Sequence, residues 1–234
     1  KKENNGYMER LNLLVIDSTS SSLKIAIQIN RKVNFFEQTE KSMNHLERLI
    51  PVIDKGIKEL DEDKKNLDYI CVCHGPGSFT GIRVGIATAL GIAFAGESSC
   101  LGFSSFDVYD YLFRDKKDSV IVPIVDAKKR RFYTTFVNSG DALYYDLSAD
   151  DIIEKIKEMK KDPIFVGSDF AMMEDKVIDS NINYTFEYQQ GYSAKEMLEA
   201  AEFFIKNNKI SSPDPIYLRK SEAEIALEEK LLKA

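Results

Sequence analysis

The residues with the greatest capacity for chemistry lie in a glycine-rich loop, HGPGSFTG, at residues 74–81. Backbone amides of such a loop can bind a phosphate where a helix begins. The spacing departs from the usual motifs, because a P-loop has Lys after its last glycine, where Ile82 stands, and Gly81 comes one residue late for a dinucleotide loop. Ser78 also lacks the flanking glycines of a nucleophile elbow. The loop therefore predicts a helix start capped by Ser78 or Thr80, with anion binding left open.

Two acidic residues and one basic turn are further candidates. Asp17 and Asp126 each follow a short apolar segment, where a carboxylate can bind a cation or cap a turn. The run KKRR at residues 128–131 begins two residues after Asp126. Such a run is typical of a solvated turn, and its alternative role is a contact with RNA phosphates.

Cys71, Cys73 and His74 lie close together but do not make a metal site. A structural zinc ion needs four ligands, and no fourth is nearby in the sequence. We therefore expect the cysteines to be small buried hydrophobic residues of a strand. His45 has Leu49 four residues later, so the helix lacks a His-x-x-x-His pair. We predict no metal site in this chain.

The segment after the glycine loop is a long helix with small residues on one side. Gly81, Gly85, Ala89 and Ala93 recur at every fourth position, and Arg83 is the only charge between His74 and Glu97. A helix that is apolar all round is buried all round. The small residues allow another backbone to approach closely, either from the protein's own sheet or from a partner. The pattern alone leaves both alternatives open.

The elements that position these residues follow a β-β-β-α-β-α order. Hydrophobic spacing predicts strands at 11–17, 22–29, 32–36 and 67–73, and a helix at 42–60 that Pro51 kinks or breaks. The second half partly repeats this order, with Asp126 in the place of Asp17 and a lobe boundary near 103–108. The repeat predicts an α/β protein with mixed sheets and helices on their faces.

Composition excludes several classes. The 234 residues carry a net charge of −6, which disfavours a protein that binds nucleic acid alone. Three cysteines without a CxxC pair favour a reducing cytosol. The longest uncharged helical stretch, Val84–Gly96, is short for a membrane span. Residues 1–9 are polar, unlike a secretory signal, and are left out of the fold prediction.

Five segments together resemble the TsaB (YeaZ) family of bacterial proteins in tRNA threonylcarbamoyladenosine (t6A) biosynthesis. They are LLVIDSTSSSLKIAI, NHLERLIPVI, HGPGSFTGIRVGIATALGIAFA, IVDAKKRRFY and PIYLRKSEAEI, spread from about residue 11 to residue 225. The GPGSFTG segment is the most specific of them. The turn AKKRRF departs from the family pattern, in which it is less basic and carries a glycine.

The resemblance implies an actin-like (ASKHA, RNase H-like) two-lobed fold with mixed β-sheets and helices on the faces. We expect an N-terminal lobe at residues 1–104, a smaller C-terminal lobe at 105–215 and a C-terminal helical tail at 216–234. A capping box at Ser221 supports the tail helix.

The resemblance also implies a role. The chain would be a non-catalytic scaffold that binds and stabilises TsaD, the catalytic subunit that transfers threonylcarbamoyl to N6 of A37 in tRNA. A TsaE-type ATPase would join the pair, a homodimer would use the same helices, and tRNA would be met only through the complex, in the cytoplasm. We expect no cofactor in this chain, with ATP and a divalent metal in the partner subunits. The predicted interface is His45, Leu49, Val52, Ile82, Gly85, Ile86 and Ala89, and the vestigial nucleotide loops are Asp17, Ser18, Thr19, Gly75 and Gly77.

Two other classes remain as alternatives. An actin-like ATP-binding phosphotransferase, or a metallopeptidase-like enzyme, would use Asp17 and the 75–81 loop to bind nucleotide and metal. The missing second histidine disfavours the peptidase. A lone RNA-binding module is supported by the KKRR turn alone.

Overall fold

A computed structural model describes residues 11–39, 47–139, 141–188 and 191–220. Its first half is built on one five-stranded mixed sheet with the order β3-β2-β1-β4-β5. Three strands form an antiparallel meander, and two further strands lie parallel to the first. The strands are β1 Leu13–Asp17, β2 Ser22–Ile29, β3 Lys32–Thr39, β4 Tyr69–Cys73 and β5 Ser99–Phe103. This order and these directions are those of an actin-like, RNase H-like lobe, which confirms the predicted fold class.

Helices cover both faces of this sheet. Two helices, α1 Leu49–Glu59 and α2 Phe79–Gly96, lie on the face reached by Leu14 and Ile16. Two others, α3 Ser105–Leu112 and a later helix at Ala194–Lys206, lie on the face reached by Leu13 and Val15. Successive strand residues point to opposite faces, so β1 is buried on both sides.

The second half repeats the strand order of the first. Strands β6 and β7, separated by one residue, are followed by the antiparallel strands β8 and β9, and β10 and β11 lie parallel to β6. An isolated bridge between Ile121 and Val137 joins the two small sheets. The elements are β6 Val120–Pro123, β7 Val125–Asp126, β8 Arg131–Phe136, β9 Asp141–Ser148, α4 Ala149–Met159, β10 Pro163–Val166, α5 Glu174–Asp179, β11 Thr185–Glu187 and α6 Ala194–Lys206.

Helix α6 lies outside the lobe in which the sequence put it. It packs on β1, β2 and β3 of the first sheet and on α3, although it falls within residues 105–215. The described part of the predicted helical tail, residues 216–220, is not helical, and residues 221–234 lie outside the described residues.

The helix predicted at 42–60 is shorter in its described part, where the expected kink or break at Pro51 is absent. Helix α1 begins at Leu49, so Pro51 lies in the first turn, where a missing backbone N–H costs no helical hydrogen bond. No kink is needed at that position. Residues 40–46, which include His45, lie outside the described residues.

Helix α2 begins and ends where its local chemistry directs. The N-cap is Ser78, one of the two caps that the sequence predicted, and it accepts a hydrogen bond from the Gly81 backbone N–H at 3.3 Å. The helix ends at Gly96, and its C-cap Glu97 has a left-handed backbone with φ of 57°. By length and composition alone, Phe79–Gly96 could cross a membrane, so the prediction that no stretch is long enough is wrong. One side of this helix packs on the sheet, which is the expected place of an α/β core helix.

Candidate functional site

The two predicted vestigial loops meet at the end of β1. The Ser78 backbone N–H donates to the Thr19 carbonyl at 2.7 Å, and the Ser18 hydroxyl donates to the Gly81 carbonyl at 2.9 Å. A Cβ on Gly77 would lie 2.3 Å from the Thr19 carbonyl oxygen, so only glycine fits there. The glycine loop therefore packs directly against the β1–β2 turn. Its glycines serve this close backbone contact.

The Asp17 carboxylate is fully engaged inside the protein. The backbone N–H and hydroxyl of Thr19 donate to Asp17 Oδ1 at 2.9 and 2.7 Å, and the Tyr192 hydroxyl donates to Asp17 Oδ2 at 2.6 Å. Asp17 is 2% exposed. Burial, and then the negative charge of Asp17, raise the pKa of Tyr192 well above its usual value, so the phenol stays protonated and remains a donor. A metal ion at Asp17 would have to displace these donors.

Tyr192 was missed by the sequence analysis. It lies 175 residues after Asp17 and carries no local motif. The adjacent Gly191, with φ of 74°, is the only nearby signal, since a glycine often marks a turn that sets the next side chain.

A small open cleft, with a cavity volume of about 50 Å³, lies between the two halves beside Asp17 and Tyr192. Lys24 lines it and is 5% exposed, with its Nζ 5.0 Å from the centre of the Tyr192 ring. Ser105 also lines it, and its buried Oγ has no hydrogen-bond partner within the described residues. The Asp169 carboxylate lines the opposite side. The lining suits a small polar ligand, whereas the loop contact closes the space between Thr19 and Gly77.

The small-residue stripe of α2 faces the protein's own sheet. Gly81, Gly85 and Ala89 are buried against β1 and β4. A Cβ on Gly85 would meet Ser18 Oγ at 2.5 Å and Val72 Cγ2 at 3.5 Å. The prediction that a foreign backbone lies against this stripe is wrong, because the chain's own strands occupy that place. A Gly85→Arg substitution would therefore damage the monomer rather than leave it folded.

The other predicted interface residues divide in the same way. Leu49 and Ile82 are 1% and 0% exposed, so neither can contact a partner in this conformation. Val52 and Ile86 are half-buried at the edge of the same core and keep part of their surface accessible. His45 lies outside the described residues.

The opposite side of α2 is apolar and exposed. Phe94 is 91% exposed and Leu90 is 46% exposed. Ala87, Gly91 and Ala95 are exposed between and beside them at helical spacing. The only charge of the helix, Arg83, lies near its first turn. We call Ala87, Leu90, Gly91, Phe94 and Ala95 the outer face of α2.

The cysteine and histidine cluster is an inert part of the core. Burial raises the pKa of Cys71 to about 12 and that of Cys73 well above its usual value, so both stay protonated thiols. Burial lowers the pKa of His74, although the charge of Asp107 acts in the opposite direction. Within the described ranges, no group of three His, Cys, Asp or Glu side chains could hold a metal ion.

An extended segment at residues 211–219, here the strap, covers the glycine loop. Its Ile216 backbone N–H donates to the His74 carbonyl at 2.9 Å. The Tyr217 ring stacks on Phe79 with centroids 4.6 Å apart, and Arg83 Nε donates to the Tyr217 hydroxyl at 2.9 Å. The sequence analysis missed this segment, because an extended chain without periodicity leaves no signal beyond its composition.

The basic turn joins β7 to β8. Lys128, Lys129 and Arg130 are exposed and have left-handed backbones with φ of 63°, 55° and 59°. The Lys128 ammonium lies 2.5 Å from Asp126 Oδ2, so Asp126 caps its own turn, one of the two roles predicted for it. Arg219, the last residue of the strap, donates from Nη1 to the Ala127 carbonyl at 3.0 Å.

Comparisons with known proteins agree with this architecture. The family model described as TsaD, tRNA N6-adenosine threonylcarbamoyltransferase, matches residues 37–227. The chain is 26% identical over 225 residues to the tRNA threonylcarbamoyladenosine biosynthesis protein TsaB of Bacillus subtilis, covering 92% of this chain and 96% of that protein. It is 20% identical over 225 residues to the protein of the same name from Escherichia coli, covering 91% and 96%.

A solved structure is similar in fold. It is a crystal structure from Pseudomonas aeruginosa, of an uncharacterized protein with similarity to peptidase YEAZ. Its TM-score is 0.71 at 19% identity, covering 90% of this chain and 100% of the other. This likeness supports the two-lobed fold.

Proposed function

This chain belongs to the TsaD family, within its TsaB (YeaZ) branch, and on that premise we propose that it is the non-catalytic scaffold subunit of a t6A-forming complex. It would bind and stabilise a TsaD-type catalytic subunit, which transfers threonylcarbamoyl to N6 of A37. A TsaE-type ATPase would join the pair in the cytoplasm. ATP and the divalent metal would be bound by those partner subunits.

The observation that carries the proposal is the outer face of α2. A helix on the surface of a soluble protein normally presents charged residues to water. This face presents Ala87, Leu90, Gly91, Phe94 and Ala95, with Phe94 at 91% exposure. Exposed contiguous apolar surface marks an interaction site. Small residues beside a large one let a partner helix approach closely around an anchoring phenylalanine.

The proposed interface therefore differs from the one predicted from sequence. Ile82, Gly85, Ala89 and Leu49 fix the helices on the sheet from behind. Val52 and Ile86 would contribute their accessible edges. A second copy of the chain would use the same surface when the catalytic subunit is absent.

The engaged state of Asp17 supports a non-catalytic role. In the phosphotransferase alternative Asp17 would bind nucleotide and metal, whereas its carboxylate here accepts three hydrogen bonds from Thr19 and Tyr192. The Thr19–Gly77 contact also fills the space between the two loops. The phosphotransferase and peptidase alternatives would each require this arrangement to open.

The experiment that tests the proposal is reconstitution. The TsaD-type subunit is purified with and without this chain, and t6A formation on unmodified tRNA is measured with the remaining subunits present. We expect co-purification of a stable complex and modification that depends on this chain. Full modification in its absence would refute the scaffold role. Hydrolysis of ATP by the isolated chain would instead support the phosphotransferase.

A further inference from the structure

The end of the strap and the basic turn form one cationic surface. We call it the basic patch, and its members are Lys128, Lys129, Arg130, Arg131, Arg219 and Lys220. Three carboxylates are bonded at its base, those of Asp126, Asp146 and Asp169. With the carboxylate of Asp151, which also interacts with Arg131, six cations less four carboxylates leave a local charge of +2; the whole chain carries −6, so the rest of the chain carries −8.

Ion pairs to Asp146 fix two arginines of the patch, and the side chains of the turn at 128–130 are exposed to solvent. Arg131 Nε lies 2.7 Å from Asp146 Oδ1, and Arg219 Nε lies 3.1 Å from Asp146 Oδ2, so two cations share one carboxylate. The side chain of Lys128 is 81% exposed, and Lys129 and Arg130 are exposed beside it. Exposed ion pairs such as that of Lys128 with Asp126 contribute only about 0–1 kcal/mol to stability, so they give the fold little reason to keep a basic turn, whereas the Arg131–Asp146 pair is structural.

The chemistry of this surface fits a phosphate backbone. Arginine and lysine are the side chains that most often contact nucleic-acid phosphates, and guanidinium groups bind them in a bidentate manner. The acidic remainder of the chain repels a polyanion elsewhere, which confines it to this patch.

The patch is also connected to the first turn of α2. Tyr217 stacks on Phe79 at the first turn of α2, and Arg219 follows two residues later, within about 7 Å of extended chain. The strap thus places the basic patch on the side of the molecule where α2 begins. We propose that the basic patch binds the phosphate backbone of the tRNA held by the catalytic partner, an inference that rests on the proposed function.

The test uses the assembled complex. The affinity for unmodified tRNA is measured at several salt concentrations for the wild-type chain, for Lys129→Ala/Arg130→Ala and for the control Lys157→Ala/Lys195→Ala. The control removes the same charge from exposed helical positions on α4 and α6. Each lost phosphate contact makes the plot of log affinity against log salt shallower by about 0.7–0.9, so we expect a change of about 1.5 for the patch variant.

We expect tRNA binding about tenfold weaker at moderate salt for the patch variant, with the control unchanged. Gel filtration and circular dichroism check that each variant still assembles and folds. If the double patch variant fails to fold or assemble, Arg130→Ala alone replaces it in the measurement. An assembled patch variant with the wild-type slope overturns this inference and leaves the scaffold role standing. A wild-type chain that never joins the catalytic subunit overturns both. Equal sensitivity in binding to phosphatidylserine vesicles would assign the patch to membranes and overturn the RNA proposal.

Discussion

Substituting alanine at three glycines of α2 should distinguish the side of the helix that packs on the sheet from the side that faces solvent. A Cβ on Gly91 meets nothing within 4 Å, a Cβ on Gly85 meets Ser18 Oγ at 2.5 Å, and a Cβ on Gly81 meets the Ser18 carbonyl oxygen at 2.0 Å. Alanine in a helix interior is favoured over glycine by roughly 0.5–1 kcal/mol. All three substitutions therefore gain the same helix-propensity free energy, and they differ in the steric contact that opposes this gain.

The opposing terms can be estimated from the contacts. Gly91→Ala keeps the whole gain of roughly 1 kcal/mol. In Gly85→Ala the Ser18 hydroxyl must move and lose its 2.9 Å hydrogen bond to the Gly81 carbonyl in a buried place. That loss costs about 1–3 kcal/mol, so the net effect is a destabilisation of about 1 kcal/mol. In Gly81→Ala the clash is with backbone, which cannot rotate away, and the net loss is about 3 kcal/mol.

Urea and thermal unfolding followed by circular dichroism measure this order. For a chain of this size 1 kcal/mol changes Tm by about 2–4 °C, so the series is expected to span roughly 8–16 °C. We expect Gly91→Ala to be the most stable, followed by the wild type, Gly85→Ala and Gly81→Ala. Equal stability of all three variants would refute the orientation of α2 on its sheet.

Two further predictions concern the buried polar groups. Tyr192→Phe removes the 2.6 Å hydrogen bond to Asp17 and should lower the free energy of unfolding by about 1.5–3 kcal/mol. A double-mutant cycle with Asp17→Asn, measured by urea unfolding, should give a coupling energy of that order. Additive effects of the two substitutions would show that the bond contributes nothing. Burial lowers the pKa of His74 below its usual value of 6.5, so as the pH falls His74 is protonated in the unfolded chain before it is protonated in the folded chain. The stability that neutral His74 contributes is therefore complete above pH 6.5 and is lost as the pH falls below that value. In His74→Gln the midpoint of urea unfolding should depend less on pH between pH 7 and 5.5. The same pH dependence as in the wild type would exclude His74 as its source.

Much of the fold could be predicted from the chain. The strands Leu13–Asp17 and Ser22–Ile29 follow from apolar runs bounded by a serine-rich turn, and the Ser78 cap follows from its place before the helix. These features are local, so the sequence contains them fully. The repeat of strand order in the second half was indicated by Asp126, which ends β7 as Asp17 ends β1.

The direction of the small-residue stripe could not be predicted in the same way. Both a neighbouring strand and a foreign helix require small residues at every fourth position, so Gly81, Gly85 and Ala89 fit either partner. A second signal was present on the other side, where Leu90 and Phe94 lie and Arg83, one turn before Ala87, is the only charge. The scarcity of charged residues on a side that the sheet cannot reach is the more informative feature.

Long-range contacts explain the remaining gaps. The Tyr192–Asp17 hydrogen bond joins positions 175 residues apart, and the strap reaches back from Ile216 to His74. Neither has a period or spacing that a single sequence reveals. Both are consequences of the order in which the two halves and α6 pack.

The central claim is that the outer face of α2 is the surface that binds the catalytic subunit. The most direct measurement is the dissociation constant for that subunit with the wild-type chain, with Phe94→Glu and with the control Lys157→Glu. Burial of a phenylalanine contributes about 1.5–3 kcal/mol, and a carboxylate in an apolar contact adds a desolvation cost, so we expect Phe94→Glu to weaken binding at least about 100-fold. Because Phe94 is 91% exposed, Phe94→Glu should leave the unfolding midpoint of the isolated chain unchanged. Binding by Phe94→Glu as tight as that of the wild type would contradict the account.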